Sequence, residues 1–77
     1  MIIPEIIRNN HRYLRKKYGY TQLEFCELIG VSRASLSAYE LGIARMPIEI
    51  LVKVSEVTRY SLDDLCKTDI QSVIEAQ

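Results

Sequence analysis

Thr21-Gln22-Leu23-Glu24-Phe25-Cys26-Glu27-Leu28-Ile29-Gly30-Val31-Ser32-Arg33-Ala34-Ser35-Leu36-Ser37-Ala38-Tyr39-Glu40-Leu41-Gly42 carries the punctuation of two short helices joined by a tight turn. Thr21 and Glu24 have the spacing of a capping box, in which each side chain accepts a hydrogen bond from the other residue's backbone N–H. Tyr20 and Phe25 flank that box as a hydrophobic staple, and Ser32 is placed to cap the second helix between Val31 and Leu36. Gly30 and Gly42 each follow an apolar stretch, where a left-handed C-terminal cap costs glycine least. Two helices meeting across Gly30-Val31-Ser32 have helix-turn-helix geometry.

Working outward, Pro4 suits the first turn of a helix that Gly19 ends, and Pro47 suits the first turn of another. Ser61-x-x-Asp64, with Tyr60 and Leu65 as its staple, repeats the start signal near the C-terminus. The pattern predicts helices over residues 4–18, 21–29, 32–41, 47–58 and 61–67. No segment alternates with period two, and the short connections leave no room for strands. The expected class is all-α, a compact five-helix bundle that contains a helix-turn-helix. Helical spacing assigns the core to Ile7, Leu14 and Tyr18; Phe25 and Ile29; Leu36 and Tyr39; Ile50, Leu51, Val54 and Val57; and Leu62 and Leu65.

A chain of 77 residues with 48% hydrophobic content fills one core, so residues 1–77 are expected to form a single domain. No apolar run reaches membrane-spanning length and no signal peptide is present, which gives a cytoplasmic expectation. Cys26 and Cys66 lack a Cys-x-x-Cys partner and read as small buried hydrophobes, not as zinc ligands or a disulfide. The formal net charge is +0, yet Arg8, Arg12, Arg15, Lys16 and Lys17 crowd the first 20 residues against Glu5 alone. Glu49, Glu56, Asp63, Asp64, Asp69 and Glu75 outnumber Lys53, Arg59 and Lys67 after residue 46. That asymmetry lets a basic end face an anionic partner and an acidic end face away.

In register, Thr21-Gln22, Gly30-Val31-Ser32, Ser37-x-Tyr39-Glu40-x-Gly42 and Ser61-Leu62-Asp63-Asp64-Leu65 resemble the phage-repressor and Cro-like (XRE-type) helix-turn-helix family. The resemblance runs without a gap over about residues 6–66. It implies a lambda-repressor-like DNA-binding domain acting as a sequence-specific transcriptional regulator, a repressor that binds a double-stranded operator as a homodimer. It also implies that Arg15 and Glu40 form a structural ion pair.

Physical chemistry assigns roles within that frame. Gln22, in the first turn of a helix, has an amide beside free backbone N–H groups, which together suit a phosphate. Arg33 can pair bidentately with a guanine in the major groove or contact a phosphate. Ser32, Ala34, Ser35, Ser37 and Ala38 complete a surface of small side chains that lets a helix sit deep in a groove, and an alanine methyl can touch a thymine methyl. After the second helix, Leu41-Gly42-Ile43-Ala44-Arg45 offers only Arg45 as a cation for the DNA backbone. Lys16 and Lys17 complement a helix C-terminus whatever the function.

His11 falls on the apolar stripe of the first helix, where the family has an aliphatic residue, and reads as a core-edge residue. With the chain's one histidine read as a core-edge residue, no Ser-His-Asp or Cys-His arrangement can be defended, and neither an enzyme, a metal, a cofactor nor a small-molecule ligand is expected. Ile70, Val73 and Ile74 make a short apolar stripe in the tail, residues 67–77, and Met1, Ile2 and Ile3 add apolar surface at the other end. Either they cover each other or they meet a second copy, and a homodimer built on the fifth helix and its tail is the expectation. The alternative is a protein–protein interaction module in which apolar Leu41, Ile43 and Met46 face a protein instead of DNA.

Overall fold

The computed structural model describes residues 4–77, which form six helices and no strand: α1 (Pro4–Lys17), α2 (Gln22–Ile29), α3 (Arg33–Leu41), α4 (Ile48–Thr58), α5 (Leu62–Lys67) and α6 (Ile70–Glu75). The all-α class and the helix-turn-helix stand, but the count is six where the sequence suggested five. The chain's tail supplies the extra helix.

Local chemistry sets most of the boundaries. Thr21 Oγ1 accepts from the Glu24 N–H at 3.1 Å while the Thr21 N–H donates to Glu24 Oε1 at 2.9 Å, so the box that opens α2 is complete. The Tyr20 and Phe25 rings pack with centroids 6.0 Å apart to staple it. Ser32 caps α3 through the Ser35 N–H at 3.1 Å, and Ser61 caps α5 through the Asp64 N–H at 3.0 Å. Gly30, at φ 73°, closes α2 in the left-handed region. Pro47 stands one residue ahead of α4 as its N-cap, not in its first turn, and Arg59 at φ 67° ends that helix without a glycine.

The core is built from Leu14, Phe25, Ile29, Leu36, Val54 and Leu65, all fully enclosed, with Leu51 and Ile70 beside them. Tyr18 is not among them. α1 stops at Lys17, and the turn through Gly19 at φ 79° swings Tyr18 off the helical stripe so that its ring is exposed and its hydroxyl donates to the Thr58 carbonyl at 2.6 Å. Tyr39 is only half-buried. Cys26 and Cys66 are free and buried, and burial, aided by the charge of Glu40, pushes the Cys26 thiol above its usual range.

Asn10, on the buried face of α1, explains α6. Its Nδ2 donates to the carbonyls of Leu65 at 2.8 Å and Thr68 at 2.7 Å, while its Oδ1 accepts from the Ile70 N–H at 3.1 Å. The α5–α6 link is thereby pinned to α1, Asp69 caps α6 through the Ser72 N–H at 3.3 Å, and Ile70 drops into the core. Ile74 is half-buried, whereas Val73 remains exposed. Met1, Ile2 and Ile3 lie outside the described residues, so the expectation that they add an apolar surface is left with the sequence.

Candidate nucleic-acid interface

The turn Gly30–Ser32 brings the start of α2 beside α3, and one buried polar network holds them there. Arg15 of α1 reaches Glu40 of α3 with Nε 2.6 Å from Oε2 and Nη2 3.1 Å from Oε1, a two-pronged pair that is almost completely enclosed. The third guanidinium nitrogen, Nη1, donates to the Tyr20 carbonyl at 2.8 Å. Gln22, the first residue of α2, donates from Nε2 to the same Glu40 Oε1 at 3.1 Å. Charge-assisted bonds of this kind are short and directional, so the network fixes three helices relative to one another.

Leu36 and Glu40 take the inner face of α3, which leaves Arg33 and Ala34 exposed and Ser37 and Ala38 half-buried at its flank. These four lie on the outward side of a helix whose first turn is open to solvent. Ser32 and Ser35 are engaged with each other. The Ser32 hydroxyl accepts from the Ser35 N–H and donates to the Ser35 hydroxyl at 2.9 Å. Their first duty is the cap. Gln22 keeps its carbonyl oxygen and one amide hydrogen for an outside partner, because only one of its donors is used on Glu40. Arg45 is exposed on the segment between α3 and α4, after the apolar side chains of Leu41, 67% exposed, and Ile43, 77% exposed.

Two further cations approach this surface that the sequence did not single out. Lys53 of α4 stands at the α2–α3 turn, its Nζ 3.1 Å from where a Cβ on Gly30 would project. Arg8 of α1 lies over Gly42, its Cζ 3.1 Å from the corresponding point. Gly42 therefore has two reasons to lack a side chain, a φ of 78° and the guanidinium above it. Nothing local in the sequence marks either approach.

His11 is buried, its Nδ1 has no hydrogen-bond partner, and burial pushes its pKa from 6.5 to about 4 against the opposing pull of Glu40. Arg15 and Arg8 add to the downward shift. At neutral pH the ring is uncharged. Among the described residues, no group of three His, Cys, Asp or Glu side chains is placed to hold a metal ion, and no helix is long and apolar enough to cross a membrane.

Known proteins resemble this chain in sequence and fold. The family described as helix-turn-helix matches residues 12–65. The antitoxin PezA of Streptococcus pneumoniae is 36% identical over 64 residues, which cover 83% of this chain and 40% of that protein. The cryptic phage CTXphi transcriptional repressor RstR of Vibrio cholerae is 33% identical over 66 residues, covering 86% of this chain and 55% of its own. The chain thus spans about half or less of these relatives. Among solved structures, the P22 c2 repressor in complex with a synthetic operator superposes with a TM-score of 0.74 at 28% identity, covering 82% of this chain and 96% of that one.

Proposed function

We propose, from the premise that this chain belongs to the helix-turn-helix family, that it is a DNA-binding transcriptional regulator that inserts α3 into the major groove of an operator. The observation that carries this reading is the Arg15–Glu40–Gln22 network. It holds the open first turn of α2 and the outward face of α3 in one fixed relation, which is what simultaneous contact with a phosphate and with base edges requires. Gln22 with the N-terminal amides of α2 grips a phosphate, and Arg33 pairs with a guanine. Ala34, Ser37 and Ala38 let the helix lie close to the bases, with Ser32 and Ser35 maintaining the cap at the groove edge. Arg45 meets the backbone after α3.

Two copies on an inverted repeat would set their half-sites about 34 Å apart. The dimer contact falls on α5 and α6, where Val73 is still exposed after Ile70 is taken into the core. Such a repressor acts by occupying promoter DNA.

Selection of bound sites from a random duplex library, followed by a salt titration on the best sequence, tests this reading. An enriched inverted repeat whose affinity falls steeply with salt supports it. No enrichment from a folded protein overturns it. The exposed Leu41 and Ile43 then favour the second reading, a module that docks a protein through the segment after α3.

A further inference from the structure

Between α1 and the segment that joins α3 to α4 lies a cavity of about 400 Å³, within the range of small-molecule sites. Ile7, Met46 and Leu51 give it an apolar body, His11 stands in its wall, and Arg8 and Arg45 are the two cationic residues that line it. No acidic side chain lines it among the described residues. A half-apolar cavity with two cations and no anion selects its occupant by charge. A cationic or zwitterionic ligand would find no counter-charge, and a purely apolar one would leave the guanidinium groups unused.

We propose that this cavity binds a small amphiphilic monocarboxylate, its carboxylate between Arg8 and Arg45 and its apolar part against Ile7, Met46 and Leu51. The arrangement also suggests regulation. Arg45 belongs both to this cavity and to the proposed DNA backbone contact, so a bound carboxylate competes with phosphate for the same cation. That regulatory half rests on the DNA-binding reading, whereas the binding half does not.

Sodium octanoate titrated into the 77-residue chain, followed by amide chemical shifts, tests the binding half with octylammonium and 1-octanol as probes of matching length. We expect saturable shifts confined to the amides near Arg8, His11, Gly42 and Arg45, with octanoate at least about tenfold tighter than either control, the ratio that one charge-assisted bond supplies. Arg8→Gln should weaken octanoate by about the same factor and Arg8→Lys by less. Should Arg8→Gln fail to fold, Ala44→Glu, a change at an exposed lining residue, should abolish octanoate binding in its place. Absence of saturation in the millimolar range, or equal binding of the three probes, overturns the site. Octanoate that binds while leaving operator affinity unchanged overturns the competition alone, and a protein that binds octanoate but no DNA overturns the DNA reading and leaves the site standing.

Discussion

Arg15 and Glu40, separated by 25 positions in the chain, meet in a two-pronged pair that also receives the amide of Gln22. Removing one member of an enclosed pair leaves the other charge without compensation. Glu40→Ala is therefore expected to cost about 3–5 kcal/mol of folding free energy, read from urea denaturation. A loss under about 1 kcal/mol would show that water reaches Arg15 and that the network does not set the helix geometry.

His11 makes stability depend on pH. The unfolded chain takes up a proton near pH 6.5, whereas the folded chain resists protonation down to about pH 4. Stability is therefore full above pH 6.5 and is lost as pH falls through that window, by about 2 kcal/mol at pH 5. His11→Leu, which places an aliphatic side chain on an apolar stripe, should flatten the dependence between pH 6.5 and 4. Below that, the Glu24 carboxylate, held under its usual range by the Thr21 backbone and hydroxyl, contributes a remaining slope of the same sign. An unchanged slope in the histidine variant would mean that the ring titrates normally and is not enclosed.

Asn10 concentrates the attachment of α6 in one side chain. Asn10→Ala leaves the Thr68 carbonyl and the Ile70 N–H without their partners and should cost about 3 kcal/mol. Hydrogen exchange separates this local effect from a general loss. Protection should vanish across residues 70–75 before it falls in α2 and α3. Uniform loss would instead place α6 in the same cooperative unit as the rest.

The contrast between Asn10 and Thr21 shows what the sequence could disclose. A capping box is written in four consecutive residues, so the start of α2 could be read directly, as could the starts of α3 and α5. α6 is six residues long, with an Asp cap and an Asn10 clamp 60 positions away, and the stripe of Ile70, Val73 and Ile74 spans too little chain to mark it as a separate helix. The same holds at the interface. Arg33 is legible because it follows a cap and a turn, whereas Lys53 at Gly30 and Arg8 over Gly42 arise only when separate helices pack. The cavity, too, is assembled from α1 and the segment after α3, and no string of neighbouring residues encodes it.

Val73 is the apolar residue of the tail stripe that folding leaves exposed, at 49%. Val73→Asp should leave thermal stability nearly unchanged and shift the protein toward monomer in sedimentation equilibrium. Full dimer formation by this variant would move the interface away from α6.

Arg33 and Arg45 should fail differently when shortened, because one is proposed to read a base and the other to hold the backbone. Arg33→Ala should lose about 1–3 kcal/mol on the preferred operator and much less on sequences lacking the contacted guanine, so its discrimination collapses. Arg45→Ala should weaken binding to all sequences alike, and the slope of log affinity against log salt should fall by about 1, the contribution of one released counterion. Measuring both variants on operator and on unrelated duplex at several salt concentrations separates the two roles. If Arg33→Ala instead weakens every duplex equally, its guanidinium belongs to the phosphate backbone. Sequence recognition would then have to come from the methyl groups of Ala34 and Ala38 and from the shape of the DNA itself.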